Sequence, residues 1–239
     1  MTNNVPAQKI LTIDIGGSHI KATILNEKGE LQMDYKKVGT PEPASPDNVI
    51  SAIKQLVSDF PEYDKVSVGF PGYVRDGIVK TAPNLDKENW KDVDLSRKLM
   101  SLLGRPVRVV NDADLQGLGV ASGQGLEMVI TLGTGFGTAV LMNGKLLPHL
   151  ELAHHPISKG RDYDEYIGEK ALDDEGNAKW NQRMQKVFSI LKTVFNYDHL
   201  YISGGNASKL NFPLDGNMTI VSNRDGIKGG AKLWWDEPH

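Results

Sequence analysis

One pattern occurs twice, about half a chain apart, and it limits the folds open to this sequence: strand, glycine turn, strand, turn, strand. In the first copy, LTIDIGGSHIKATIL, Leu11, Ile13 and Ile15 alternate with Thr12 and Asp14. That is the period of a half-buried strand. Gly16-Gly17 breaks the run, and Ile20, Ala22 and Ile24 restart it. Asn26-Glu27-Lys28-Gly29 is a turn signal, and Glu30 to Met33 is expected to form a third strand. In the second copy, the apolar run Val129 to Leu132 enters Gly133-Thr134-Gly135-Phe136-Gly137. A second strand follows from Thr138 to Leu141, then the hairpin dipeptide Asn143-Gly144, then Lys145-Leu146-Leu147. Such a repeat predicts an ancient duplication: two similar α/β domains, each presenting a glycine turn to one shared phosphate group.

Composition narrows the function. With 39% hydrophobic and 24% charged residues in 239, the chain reads as a soluble globular protein with room for two small domains. A net charge of −3 argues against a basic nucleic-acid surface. No apolar run reaches membrane-spanning length, and MTNNVPAQK lacks the apolar centre of an export signal. The expectation is a cytoplasmic protein without membrane or nucleic-acid partners. Cysteine is absent, which excludes disulfides and thiolate metal sites.

Between the two copies, residues 34–46 read as a proline-rich loop and Asp47 to Phe60 as an amphipathic helix. Lys65 to Phe70 is a predicted strand entering Pro71-Gly72, and Asp76-Gly77 a hairpin turn. Leu95 to Leu103 is a helix capped by Asp94 and stopped by Gly104. Pro106 to Val110 is a strand delivering Asn111-Asp112, and Ala113 to Ser122 is a helix. The domain boundary is set near Asn111, giving domains 1–110 and 111–239 with a substrate cleft at the junction. Beyond the second copy, Ser158 to Asn177 reads as a charged loop with one short helix around Tyr163 to Ala171. Ala178 to Phe195 is a helix, His199 to Ile202 a strand ending in Ser203-Gly204-Gly205-Asn206, Met218 to Val221 a strand, and Gly226 to Trp235 a helix. Trp234 and Trp235 are expected to serve packing or an interface.

Several residues carry chemistry in this arrangement. Backbone N–H groups around Gly16 and Gly17 and the Ser18 hydroxyl suit phosphate oxygens, and Asp14 suits a hydrated cation. Lys21 either neutralises phosphate charge or is an exposed strand lysine. Asp112, at a strand end, can align a hydroxyl and take its proton; the competing reading of Asn111-Asp112 is a cap for the following helix. Asp114 is assigned to the first helical turn or the surface. Glu151, His154 and His155 cluster without metal-ligand spacing, and His149 is expected to be an exposed loop residue.

In order along the chain, DIGGSHIK, LGTGFGTAV and ISGGN resemble the ROK sugar kinases, and among them the polyphosphate glucokinase-like branch. The resemblance spans roughly residues 9–235. It implies a two-domain actin-like ATPase (ribonuclease H-like) fold with duplicated β-hairpin phosphate loops. The last helix would return to the N-terminal domain. The implied activity is transfer of a phosphoryl group from ATP or polyphosphate, with Mg²⁺, to the 6-hydroxyl of a hexose such as glucose. Asp112 would be the catalytic base. Asn84, Asn111, Glu151, His154 and, by position, Glu165 would bind sugar, with Gly72 shaping the wall. Gly16, Gly17, Ser18 and Lys21 would form the first phosphate loop, Gly133, Thr134, Gly135 and Gly137 the second. Gly204 and Gly205 would lie on the adenosine side. Asp14 would hold Mg²⁺ through water. Relatives in the family are often homodimers, and many carry a structural zinc in a cysteine-rich loop that this chain lacks. Repressors of the family begin with a helix-turn-helix, for which about nine residues before the first strand leave no room. The family's Glu-x-Gly-His is here Glu151-Leu152-Ala153-His154. A non-catalytic sugar or nucleotide sensor, or a kinase for mannose, fructose or an N-acetylated amino sugar, remains open at this stage.

Overall fold

The computed structural model describes residues 8–222 and 226–235. Residues 1–7, on which the export-signal reading falls, lie outside the described residues. The chain divides into two compact units, residues 1–115 with 227–239, and residues 116–226. The sequence set the boundary near Asn111; this division falls between Leu115 and Gln116.

In the first unit, β1 (Lys9–Ile15), β2 (His19–Asn26) and β3 (Lys36–Gly39) form an antiparallel meander. β4 (Lys65–Phe70) runs parallel to β1, a small hairpin of β5 (Val74–Arg75) and β6 (Ile78–Val79) follows, and β7 (Val107–Asn111) runs parallel to β4. The sheet order is β3-β2-β1-β4-β7. The alternation that predicts β1 and β2 sends Leu11, Ile13, Ile15, Ile20 and Ile24 to one buried face. There they share a core with Val49 and Ile53 of α1 (Pro46–Leu56) and, beyond the single turn α2 (Lys87–Trp90), with Leu95 and Leu99 of α3 (Leu95–Leu103). Asp94 caps α3 by accepting from Arg97 N at 2.9 Å, and Gly104 ends it at φ 66°. The opposite face buries Thr12, Thr23 and Ser67. Residues 229–235 lie over it: Ser67 Oγ donates to Gly230 O at 2.6 Å, and Trp234 Nε1 donates to Ser67 Oγ at 2.8 Å. The Trp234 ring carries Lys65 and Arg108, at 4.9 and 4.3 Å from its centroid.

Three expectations for this unit need correction. The third strand is Lys36–Gly39, and Glu30 to Met33 contributes only a bridge at Leu31. α1 stops at Leu56 rather than Phe60. The tail is not one continuous helix; its helical part between Lys228 and Leu233 is a single turn, Gly229–Lys232.

α4 (Asp112–Val120) follows β7 without a loop. The second unit then has its own sheet, built from β8 (Leu126–Leu132), β9 (Phe136–Met142) and β10 (Lys145–Leu146). A hairpin of β11 (Pro156–Ser158) and β12 (Arg161–Asp162) leads to α5 (Tyr163–Ile167) and α6 (Glu169–Phe195). β13 (His199–Ser203) and β14 (Met218–Ile220) complete the sheet, whose order is β10-β9-β8-β13-β14. Antiparallel meander plus two parallel strands repeats the first sheet in order and sense. Trp180, Met184, Val187, Phe188 and Leu191 of α6 cover Met128, Ile130, Leu200 and Ile202.

The charged stretch from Ser158 to Asn177 is not a loop with one short helix. It forms the hairpin, α5 and the first turns of α6, with Gly176 (φ 77°, ψ 160°) kinking the helix. Part of its charge is paired around one carboxylate. Glu175 meets Lys179, Arg183 and Arg161, the last at 3.3 Å, and these cations, Lys179 foremost, lower its carboxyl to about 2.

Glu127 is fully buried at the start of β8. It accepts from Ser122 N (2.7 Å), Ser122 Oγ (2.8 Å), Gly123 N (2.8 Å), Gln124 N (3.2 Å) and Tyr201 Oη (3.0 Å). Burial alone pushes this carboxyl up, yet the donors together hold it below the usual glutamate range. Among the described residues no helix is long and apolar enough to cross a membrane.

Candidate active site

The carboxyl ends of the parallel strands in the first unit gather the predicted groups, which is where open α/β sheets bind ligands. β1 ends in Asp14 and Ile15, and the turn Gly16-Gly17-Ser18 leads into β2. Gly16 N donates to His19 O at 2.9 Å, leaving Gly17 and Ser18 at the tip. Their two N–H groups have no acceptor among the described residues, so both are available to an anion. Neither Gly16 nor Gly17 uses a left-handed φ. The turn is tight at Gly16, where a Cβ would lie 3.0 Å from His19 O; a Cβ at Gly17 would be in ordinary contact, 3.5 Å from Asn84 O. Asn84 therefore adjoins this turn. Thr40, which the sequence reading passed over, ties it down: its N donates to Ser18 O at 3.0 Å and its Oγ1 to Gly16 O at 2.6 Å.

Asp14 is a quarter exposed, and its nearest cation is Lys21 Nζ at 3.7 Å. Burial raises its carboxyl above the usual range, and Lys21 offsets part of that rise. A hydrated cation at this oxygen would relieve the same penalty, so the site fits a magnesium ion held through water by one carboxylate. No cluster of three or more metal-ligating side chains exists among the described residues.

β4 ends at Phe70, followed by Pro71-Gly72, and β7 ends at Asn111, followed by Asp112 as the first residue of α4. Asn111 is 7% exposed. Its Oδ1 accepts from Ala113 N at 2.8 Å and its Nδ2 donates to Gly72 O at 3.1 Å. Asn111 thus caps α4 and anchors the Gly72 turn. A Cβ at Gly72 would lie 2.1 Å from Thr81 O, so that turn also requires glycine. Asp112 is partly exposed, and its Oδ1 accepts from Ala113 N at 2.8 Å. Asp114 is buried, and its N–H lies 3.4 Å from Asn111 Oδ1.

In the second unit the turn Gly133-Thr134-Gly135 lies against α6 and the Gly204-Gly205 corner. Glu169 N donates to Gly133 O (3.1 Å) and Thr134 O (3.3 Å), and Asn206 Nδ2 to Gly133 O (3.4 Å). The N–H groups of Thr134 and Gly135 have no acceptor among the described residues. Gly137 lies inside β9, opposite Thr131, and not in the turn. Gly204 is left-handed at φ 95°, and a Cβ there would lie 2.2 Å from Leu132 O.

Glu151 sits between two histidines: His149 Nε2 at 3.3 Å from Oε1 and His154 Nε2 at 3.9 Å from Oε2. His154 Nδ1 lies 3.4 Å from Asp162 Oδ2. The expectation of an exposed His149 is wrong: its side chain is 8% exposed and braces Glu151. Ala153 lies in a 3-10 turn, Leu152–His154, without a left-handed φ, so the backbone there does not demand the family's glycine. Glu165 is exposed and reaches back to Asp162 N at 3.3 Å, half of a capping box that starts α5. Its neighbour Asp164 faces the glycine turn instead: Oδ1 accepts from Phe136 N at 2.6 Å, and a Cβ at Gly135 would lie 2.9 Å from that oxygen. Burial raises the Asp164 carboxyl, partly offset by the Phe136 bond. The motif Asp162-x-x-Glu165 was the signal that could have found this, since a capping box commits its fourth residue to the backbone.

Duplicated sheets, paired glycine turns and a carboxylate at a strand-to-helix junction define an actin-like phosphotransferase architecture. The ROK family profile matches residues 10–150, and the chain belongs to that family. Polyphosphate glucokinase of Mycobacterium tuberculosis is 33% identical over 92% of this chain and 88% of its own. The inorganic polyphosphate/ATP-glucomannokinase of Arthrobacter sp. superposes with a TM-score of 0.84 at 35% identity, covering 95% of this chain and 98% of that one. A ROK glucokinase from Streptomyces griseus, solved with glucose and AMPPNP, shares the fold at a TM-score of 0.75 and 20% identity over 94% and 98% of the two chains.

Proposed function

We propose that this protein is a cytoplasmic sugar kinase that transfers a phosphoryl group from ATP or polyphosphate to the 6-hydroxyl of glucose. The observation that carries the reading is the carboxyl edge of the first sheet. It sets two open N–H groups at Gly17 and Ser18 and the Asp14 carboxylate at the end of β1, and the helix-leading Asp112 at the end of β7, with β4 between the two strands. The names of the relatives at 33% and 35% identity support the donor and the sugar.

In this reading Asp112 accepts the hydroxyl proton as the new oxygen–phosphorus bond forms and the donor's bridging bond breaks. Asn111 fixes the start of α4 and so fixes Asp112. Asn84, Glu151 and His154 bind sugar hydroxyls, with His149 and Asp162 orienting the latter two. The two glycine turns hold donor oxygens, and the Gly204-Gly205 corner takes the far part of the donor. Magnesium at Asp14 would neutralise donor charge when bound. A homodimer belongs to the same proposal.

The test is a phosphorylation screen of hexoses and N-acetylated amino sugars against ATP and polyphosphate with Mg²⁺. Glucose 6-phosphate from either donor is the expected product. Absence of turnover with every pair, while a sugar still raises Tm, would leave a binding protein instead. Thr40→Val is expected to raise the KM for the donor by about two- to tenfold, the loss of one hydrogen bond that shapes the turn. The KM for sugar should not move in the same steady-state assay.

A further inference from the structure

The sequence contains no long run of lysine or arginine near the glycine turns. The sheet assembles one across strands instead. In the β1–β2–β3 meander, Asp14 lies opposite Lys21, and Lys21 lies opposite Lys37. Residues paired across a ladder point to the same face, so the three form one row from the turn to the sheet edge. The Asp14–Lys21 approach of 3.7 Å agrees with that placement. One step nearer the turn, His19 faces Gly39 on the same side. Two strand spacings put Lys37 about 10 Å from Asp14.

The charges in this row do not balance. Like charges directly opposite one another on a ladder are unfavourable. Asp14 answers Lys21, but Lys37 is exposed and has no ion-pair partner among the described residues. Its neighbour Lys36 pairs with Asp59, from the other face of the strand. The row also stays open overhead, since a Cβ at Gly39 would meet nothing within 4 Å. The strand carrying Lys37 continues directly into Thr40, the residue that fixes the glycine turn.

We propose that His19, Lys21 and Lys37 form a track for a linear polyanion, along which a polyphosphate donor lies when its end occupies the Gly16-Gly17-Ser18 turn. The proposal rests on the kinase reading for its turnover arm only. A chain with phosphates beyond the turn reaches Lys37; a donor that ends in a nucleoside carries no charge to place there.

The experiment pairs binding with turnover. Binding of long-chain inorganic polyphosphate and of tripolyphosphate is measured by calorimetry, without sugar, for the wild type, Lys37→Gln and Gly39→Glu. Lys37→Gln should weaken long-chain binding by about fivefold, the value of one exposed charge contact. The slope of log K against log salt should fall by about one unit. Gly39→Glu, an exposed substitution with steric room, should weaken it at least as much by placing an anion in the row. Tripolyphosphate binding and ATP-driven kcat/KM should stay within twofold for both variants. Equal losses with ATP and polyphosphate, or unchanged long-chain binding in both variants, would overturn the track. Wild-type binding of polyphosphate that is lost in the variants, with no sugar phosphorylated, would keep the track and sink the kinase reading.

Discussion

Asp112→Asn is expected to lower kcat by roughly 10² to 10⁴, the usual worth of a positioned general base. The KM for glucose should stay within about twofold. The substitution is chosen because the carboxyl has a second duty that an amide can keep. Asp112 Oδ1 accepts from Ala113 N at 2.8 Å at the first turn of α4, and an asparagine oxygen accepts as well. Asn111, buried beside it, holds the helix start through Ala113 N and Gly72 O independently. Tm should therefore be unchanged, and sugar binding measured by calorimetry should survive. A parallel loss of binding and rate would mean that residue 112 shapes the sugar site and that the base lies elsewhere.

Glu127→Ala should destabilise the second unit by about 3 kcal/mol or more, read from chemical denaturation. Five donors converge on this buried carboxylate. Removing it strands several of them away from water, at about 1–3 kcal/mol for each group left unsatisfied. Glu127→Gln should recover only part, because an amide must turn one N–H₂ toward backbone N–H groups. The pH dependence follows from the lowered carboxyl. A group more acidic folded than unfolded stabilises fully above the ordinary glutamate value. That stability is lost as pH falls through the lower folded value. The wild type should thus lose stability on acidification over that window, and Glu127→Gln should lose less. Equal acid sensitivity in both proteins would remove Glu127 from the account.

How much of this was readable in advance varies with how locally each feature is encoded. β1 and β2 follow from alternation broken at Gly16-Gly17, and β8 and β9 from an apolar run that enters Gly133-Thr134-Gly135. The caps of α3 were legible because Asp94 and Gly104 act within their own turn. β3 was not: Lys36-Lys37-Val38-Gly39 is an edge strand, and edge strands carry lysine in place of an apolar period. Its basic row exists only after three strands align. The first turns of α6 look like a loop because Gly176 interrupts them and their charges, paired around Glu175, mimic a solvated stretch. Glu165 and Asp164 differ by one position; only the capping geometry assigns the first to the backbone and the second to the glycine turn. The little-exposed His149 side chain approaches Glu151, a pairing with no sequence signature. The candidate residues at the carboxyl edge of the first sheet stand out as types at strand ends. The bracing shell of Thr40, His149 and Asp162 does not, since each acts through distant backbone or a side chain brought near by folding.

The first unit is made from both ends of the described chain, residues 8–115 and the segment that begins at 227. Its polar face, with Thr12 and Ser67, is closed by Gly230 and Trp234. A chain growing on the ribosome therefore exposes the whole second unit, 116–226, before the strap that finishes the first has been made. The part begun first is completed last. Until Trp234 emerges, the nascent sheet carries Ser67 and the Arg108 guanidinium without their final partners, a window in which chaperone capture and proteolysis act on the amino-terminal half.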